Sequence, residues 1–305
     1  MLLSNMHLEH ENLQECKSFG FCIPDYLVIG HVAKDNIPDG AMLGGTCAYS
    51  ALTARNLKQQ VALVTCAGTD IPSLDILQGV QVKCIPYEYS TTFENIYRDG
   101  QRYQKWLAQS GIIELTDIPD TWQHAPIVHL APIAQEISPR LCVAFPNSLV
   151  CVTVQGWLRG YDSTRNVIYE VHPELNQYLP YIDILVTSLA DFQGDKTTMT
   201  RLLTSVKVGI ETLGEKGCRV YQNEHIFEIP TQPEKEADST GAGDIFSTTF
   251  FVYYHKTKDI VKSAQYANVC ALLSVRNVGM KSIPTLPEIE THLAEHFTDW
   301  RSYSV

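Results

Sequence analysis

Asp238-Ser239-Thr240-Gly241-Ala242-Gly243-Asp244 runs directly into an apolar stretch over residues 245–254. Three small residues therefore stand at the mouth of a predicted helix, with a carboxylate on either side. Backbone N–H groups at a helix start lack intrahelical partners, and the aligned peptide dipoles leave partial positive charge there. Gly241, Ala242 and Gly243 carry no bulk to block close approach, so a phosphate can rest on those amides. A second acid in the first turn is electrostatically awkward beside a phosphate unless it takes part in the reaction. Taking the proton of an attacking hydroxyl would be such a part for Asp244. The segment reads as a phosphoryl-transfer centre. A plain turn capped by Asp238, Ser239 or Thr240 would leave the second acid without a reason.

The elements around this segment follow an α/β rhythm. Residues 26–30 form a short apolar strand ended by Gly, Gly44-Gly45 opens a helix over 46–57, and 61–64 is a second strand. From 82 to 107 the pattern alternates, and Asp99-Gly100 marks a hairpin between strands at 91–97 and 101–107. That insertion reads as a lid built from about residues 36–45 and 82–110. Beyond it, 127–130, 150–154, 182–186 and 206–213 read as buried parallel strands separated by helix-length connections. A hairpin over 219–229 turns at Asn223, and helices are predicted over 242–254, 259–276 and 286–297. The expected fold is one α/β domain over 22–305, three layers around a mostly parallel sheet with a small β lid, preceded by an extension over 1–21.

Composition narrows the partners. The 305 residues carry a net charge of −11 and no Lys/Arg block, which argues against a nucleic-acid or anionic-membrane surface. An anionic donor must therefore be held by local amides, a metal ion and a few side chains. Nine cysteines, an odd count without a C-x-x-C pair, suggest reduced thiols rather than a disulfide framework or a zinc site. Residues 1–21 include Glu9, His10, Glu11 and Glu15 and lack the apolar core of a signal peptide. No run is long and apolar enough to span a bilayer, and the reduced thiols make a cytoplasmic protein the expectation.

The D-S-T-G-A-G-D order closely matches the C-terminal signature of the ribokinase-like carbohydrate kinases, the PfkB family. The chain resembles that family from about residue 27 to about residue 280. The resemblance implies a ribokinase-like α/β/α fold, ATP as donor, Mg²⁺, Asp244 as general base and Gly241–Gly243 as anion hole. It also implies a monovalent cation such as K⁺ near Asp238 and the Thr240 carbonyl. Thr212-Leu213-Gly214-Glu215-Lys216-Gly217 follows a predicted strand, where ligands collect in open α/β sheets. On residues alone this is as much a strand-to-hairpin turn as a nucleotide loop. The resemblance implies the loop, with Thr212, Gly214 and Gly217 near the nucleotide and Asn268 near the adenine. It is no Walker A sequence, and no G-x-G-x-x-G follows the first strand.

The acceptor side lies in the N-terminal half. Asp35 matches the acid with which relatives hold sugar hydroxyls, and a carboxylate suits vicinal hydroxyls. Gly44-Gly45 matches the double glycine beneath the substrate. Tyr49 stands where sugar-specific members carry Asn, which suggests a remodelled acceptor pocket. Ser188-Leu189-Ala190-Asp191 replaces the N-x-x-E of relatives, keeping one carboxylate, Asp191, for magnesium-bound water. Together with Gln155-Gly156-Trp157, these departures are similar to the plant inositol-kinase-like branch. In the lid, Phe93, Asn95 and Tyr97 share one strand face by period two. Gln155 is a candidate acceptor ligand, and Arg159 reads by default as solvated.

The expected chemistry is transfer of a phosphoryl group to a hydroxyl of a sugar, polyol or nucleoside. A loose transition state lets the proton leave late, so an ordinary carboxyl pKa of about 3.9 would suffice. Pairing of two copies through their lids is the expected assembly. The rival readings are a non-catalytic relative that binds a nucleotide or metabolite, motivated by Ser188 and Tyr49, and a nicotinamide-dependent enzyme, disfavoured for want of its fingerprint.

Overall fold

The β-branched runs along this chain are buried on both faces, which a sheet covered by helices requires. The computed structural model describes residues 22–38, 40–98 and 101–296; the extension 1–21, the Asp99-Gly100 turn and Phe297 lie outside them. The strands are β1 (Tyr26–Ile29), β2 (Ala33–Ile37), β3 (Gly40–Gly44), β4 (Val61–Ala67), β5 (Gln81–Pro86), β6 (Thr92–Arg98), β7 (Gln101–Ala108) and β8 (Ile127–Leu130). They continue with β9 (Leu149–Thr153), β10 (Arg159–Tyr161), β11 (Val167–Tyr169), β12 (Ile184–Ser188), β13 (Val208–Thr212), β14 (Cys218–Gln222) and β15 (His225–Ile229). The helices are α1 (Thr46–Asn56), α2 (Leu175–Tyr178), α3 (Lys196–Thr204), α4 (Ala242–Thr257), α5 (Ile260–Ser274) and α6 (Leu286–His296).

The central sheet has nine strands in the order β15-β14-β13-β12-β9-β8-β1-β4-β5. Pairing is parallel from β13 to β5 and antiparallel at β13–β14 and β14–β15. One face is covered by α1, α4 and α5. Helix α4 is apolar nearly all round, with Ile245, Phe246, Phe250 and Phe251 buried, as a helix within a core must be. All the parallel strands point their C-terminal ends the same way, so the loops after Ile29, Leu130, Thr153, Ser188 and Thr212 share one rim. Strands in such sheets deliver their ligands there.

Two expectations need correction. Strand β5 pairs in parallel with β4 at the edge of the central sheet and is not part of the lid. Val82, Lys83, Cys84 and Pro86 are exposed, as befits a strand at the sheet edge. The lid is a separate sheet, β3-β2-β6-β7, drawn from 33–44 and 92–108. The second correction concerns the opposite face, where helix-length crossovers are partly missing. Between β8 and β9 there is a single 3₁₀ turn, Pro139–Val143, and between β9 and β12 the hairpin β10–β11 and the short α2. Bulky side chains fill the layer instead: Phe145, Trp157 and Phe192 are buried with Leu202 and Leu203 of α3. The Trp157 indole N–H donates to Ile137 O at 2.6 Å, so the buried polar atom is satisfied.

The lid is anchored by its own small core of Ala33, Phe93, Trp106, Ile133 and Ala134. Hairpin β10–β11 docks on β7: Trp106 N–H donates to Arg165 O at 2.9 Å, and the Trp106 and Tyr161 rings meet edge-on at 5.1 Å. The eight described cysteines are free, six of them buried, and among the described residues no helix is long and apolar enough to cross a membrane.

Candidate active site

Helix α4 begins at Gly241, whose φ of +81° is the left-handed conformation that glycine accepts without strain. No side chain caps this helix. Ala242 N–H turns back to Ser239 O at 3.1 Å and Ile245 N–H to Gly241 O at 2.9 Å. The amides of Gly243 and Asp244 have no backbone partner, so they, rather than that of Ala242, are the pair presented at the mouth. Gly243 is exposed, and a side chain there would meet nothing within 4 Å. The motif therefore opens on a cleft.

That cleft has a volume of about 630 Å³ and reaches from the lid to the α4 mouth. It brings together Asp35, Gly45, Tyr49, Gln155, Asp238, Thr240, Gly241, Gly243 and Asp244 from the residues expected on sequence. Burial pushes the Asp244 carboxyl up to about 6, helped by the Asp191 charge and opposed by a hydrogen bond from Thr46 and by the Arg159 charge. The carboxyl thus stands above the ordinary value that would have sufficed. Desolvation beneath the cleft is the cause.

Toward the lid, the Tyr49 ring lies against Gly241, and a Cβ at Gly241 would stand 2.3 Å from Tyr49 Cδ1. Burial pushes the Tyr49 phenol upward, and the charges of Asp244, Asp238 and Asp35 push it further. Tyrosine at this position packs against the turn that opens α4 rather than merely filling the place of an amide. Gly44 leaves room for Asp35: a Cβ there would fall 2.0 Å from Asp35 Oδ2. Arg159 is half-buried over the Phe93 ring at 5.6 Å and donates to Ile133 O at 3.4 Å, so the solvated reading is corrected. Four carboxylates (Asp35, Glu236, Asp238, Asp244) and one guanidinium line the cleft. An uncharged, hydroxyl-rich acceptor suits that balance better than a phosphorylated one.

On the donor side, a smaller cavity of about 120 Å³ joins Asp244 to Thr212, Ser188, Asp191 and Gln155. Asp191 is held by Gln155 Nε2 at 3.0 Å, Thr187 Oγ1 at 3.1 Å and Ser188 N and Oγ, both at 2.9 Å. Ser188 and Asp191 form a reciprocal cap on the 3₁₀ turn Leu189–Phe192. The serine thus fixes the carboxylate from below. Gly217 is buried in a tight turn, its N–H donating to Gly214 O at 3.0 Å, while Gly214 is exposed. Asn268 is a correction. It is buried, and its amide donates to Ile229 O at 3.1 Å and Pro230 O at 3.4 Å, so it clasps the end of β15 and is not aimed into the cleft.

Asp238 clasps two loops. Its carboxylate accepts from Thr240 N–H at 2.9 Å and Gly279 N–H at 3.1 Å, while Ala237 and Asp238 N–H both donate to Val275 O. Among the described residues, no three His, Cys, Asp or Glu side chains converge as a metal cage. The donor set fits a divalent ion that arrives on phosphate oxygens and takes one or two carboxylates, with Asp191 beside Asp244.

Sequence reading missed the buried knot beneath the lid. Glu136 is fully buried and accepts from His31 N–H at 2.8 Å, Ile133 N–H at 3.0 Å and Ala134 N–H at 2.7 Å. The His31 ring bonds Gly111 O at 2.7 Å and Thr91 Oγ1 at 2.6 Å. A carbonyl can only accept, so Nε2 carries the proton and Nδ1 accepts from the threonine hydroxyl. Burial lowers the His31 pKa, which agrees with a neutral ring. This knot joins three chain crossings into the lid and holds Ile133 in the cleft wall. An acid set between apolar Ile133-Ala134 and Ile137 was the only signal available. Glu136→Gln would turn an amide N–H toward backbone donors. It should cost about 1–3 kcal/mol of stability in thermal unfolding and raise the acceptor KM with kcat nearly kept.

The fold and this cleft define a small-molecule phosphotransferase. Residues 161–287 match the pfkB family carbohydrate kinases. The cytidine kinase of Thermococcus kodakarensis is 27% identical over 77% of this chain and 90% of its own length. Bacillus subtilis ribokinase is 37% identical over 27% of this chain and 29% of its own. Among solved structures, a pyrophosphate-dependent myo-inositol-1 kinase converted by mutation into a myo-inositol-3 kinase superposes with a TM-score of 0.74 at 18% identity, over 88% of this chain and 99% of its own. Arabidopsis thaliana ribokinase, complexed with ribose and ATP, superposes with a TM-score of 0.70 at 20% identity, over 88% and 98%. The matched stretch holds the Asp238–Asp244 motif, and with these relatives it marks the chain as a phosphotransferase with a hydroxyl as acceptor.

Proposed function

We propose that this kinase moves the γ-phosphoryl group of ATP to a hydroxyl of a sugar, polyol or nucleoside. The observation that carries the reading is the Asp244 carboxyl, desolvated beside the open amides of the α4 mouth at the floor of the cleft. The acceptor oxygen forms a bond to Pγ as the bond from Pγ to the bridging oxygen of ADP breaks. Its proton passes to Asp244. The N–H groups of Gly243 and Asp244 take the charge gathering on the equatorial oxygens. Asp35, Gly44, Gly45, Tyr49 and Gln155 hold the acceptor, while Thr212 and the turn at Gly214 and Gly217 hold the donor. A bound Mg²⁺ supplies neutralisation of phosphate charge, held through Asp191. Asp238 and the Thr240 carbonyl are the proposed supports for a monovalent cation. The reading also takes the chain as cytoplasmic, and takes two copies to pair through lids whose strands expose Ile37 and Met42.

Ser188 has a structural reason in its cap with Asp191 and Tyr49 has one in its packing on Gly241, so neither change requires lost catalysis. The test is product formation over a panel of sugars, polyols and nucleosides, with ATP or pyrophosphate as donor. Acceptor-dependent ADP release with ATP is expected. Turnover only with pyrophosphate would overturn the donor assignment, and none with either donor would sink the kinase reading for this cleft.

A further inference from the structure

Three polar side chains lie end to end in the apolar layer between the sheet and α4, and they reach the small cavity beside Asp244. Tyr26 of β1 and His129 of β8 are fully buried, and Thr153, the last residue of β9, is 7% exposed. The Tyr26 hydroxyl lies 2.8 Å from His129 Nδ1, and His129 Nε2 lies 3.0 Å from Thr153 Oγ1. The surroundings are apolar: the His129 ring meets Phe251 of α4 edge-on at 5.0 Å, and Cys47 and Cys151 belong to the same core cluster. Polar groups in such a place cost free energy unless each is paired, and apolar residues would fill it more cheaply. At one end the row leaves the core. Thr153 shares the wall of the donor-side cavity with Asp244, Asp191 and Thr212.

Proton bookkeeping gives the row a direction. Burial pushes the His129 ring down to about 3, so at neutral pH it has one N–H and one bare nitrogen. Tyr26 has a single proton and two neighbours to receive it, His129 Nδ1 at 2.8 Å and Thr248 Oγ1 at 3.3 Å. The second distance is longer than an O–H···O bond normally runs, so the proton lies toward His129. Nε2 then carries the ring proton and donates to Thr153 Oγ1. The threonine keeps its own proton for whatever enters the cavity. Among the described residues no Lys or Arg lines that cavity, and its charges are the carboxylates of Asp191 and Asp244. Asp191 already takes four hydrogen bonds, and Asp244 takes one from Thr46. A phosphate arriving there has to be met by neutral donors. Resting on the kinase reading above, we infer that the Thr153 hydroxyl donates a hydrogen bond to a phosphate oxygen of the bound donor, with His129 and Tyr26 as positioning residues that fix its direction. Hydrogen bonds in series polarise one another, so the buried row strengthens the last one.

The full chain tests this by calorimetry with non-hydrolysable analogues of ATP and pyrophosphate, by steady-state kinetics, and by ¹⁵N NMR of labelled histidine. The wild-type spectrum should show His129, assigned by its absence from His129→Asn, as the neutral Nε2–H tautomer. Thr153→Val keeps the shape and removes the hydroxyl. It should bind the analogue about 10–100-fold more weakly and lose as much in kcat/KM for the donor, with the acceptor KM unchanged. Thr153→Ser should recover most of both. A merely structural threonine would lower the melting temperature of Thr153→Val without separating donor from acceptor. Undiminished analogue affinity in Thr153→Val, or an Nδ1–H tautomer at His129, overturns the inference and leaves the kinase standing. The tautomer is read on the wild type, so it decides even where Thr153→Val fails to fold. Analogue binding that weakens in Thr153→Val, in a protein that phosphorylates no acceptor, keeps the donor contact and sinks the kinase reading. If the wild type binds neither analogue, both fall.

Discussion

Asp244→Asn should abolish phosphoryl transfer and at the same time make the protein more stable at neutral pH. The two effects share one cause. The cleft raises the carboxyl from 3.8 to about 6 chiefly by desolvation, so the folded state holds an anion in a place that disfavours it. Below the ordinary value both folded and unfolded chains are protonated and the cost is absent. As pH rises from 3.8 to about 6 the unfolded chain ionises first, the cost grows, and above that range it is constant. The neutral asparagine removes it, for a gain of about 1–3 kcal/mol after allowance for partial solvent contact. Melting curves of the two proteins should therefore separate at neutral pH and converge in acid. Turnover should fall by about 10³-fold with donor and acceptor binding retained. In the wild type, kcat/KM should decline as pH drops through about 6, because the base must be ionised to accept the hydroxyl proton. Near-normal turnover in Asp244→Asn, or a less stable variant at neutral pH, would contradict the assignment.

Gly241→Ala is the second large effect. One methyl group is enough, since its Cβ would stand 2.3 Å from both Cδ1 and Cε1 of Tyr49, well inside contact distance. The φ of +81° adds the left-handed penalty that a Cβ brings. Backbone strain and overpacking together should cost about 2–4 kcal/mol in chemical denaturation. The Gly243 and Asp244 amides, proposed to receive the transferring group, follow directly, so a shift of the turn misplaces them and kcat should fall about 100-fold. Tyr49→Ala in the Gly241→Ala background should recover part of the stability by removing the overlap. The share due to φ stays lost. A Gly241→Ala protein with wild-type turnover would show that the amides at the α4 mouth do not carry the transferring group.

Part of this protein was legible from its residues. The two acids flanking Gly-Ala-Gly, the apolar run behind them and the short β-branched strands are local patterns, set by backbone freedom and hydrophobic period over a few residues. They led to the α4 mouth and to the strand ends that face it. Other features were not local. The pattern at 81–86 is shared by lid strands and sheet edges, and only pairing with β4 told them apart. Asn268 was placed near the adenine by the family resemblance alone, yet its amide turns to Ile229 and Pro230.

Asp238, Gly241, Gly243 and Asp244 in their order already pointed to an open helix start facing a cleft, the site proposed here for phosphoryl transfer, because amide geometry at a helix start depends on neighbouring residues. Tertiary structure decided the Asp244 proton affinity, the contact of Tyr49 with Gly241 and the Glu136–His31 knot. Each depends on burial or on contact between residues far apart in the chain, and desolvation has no signature in a linear string.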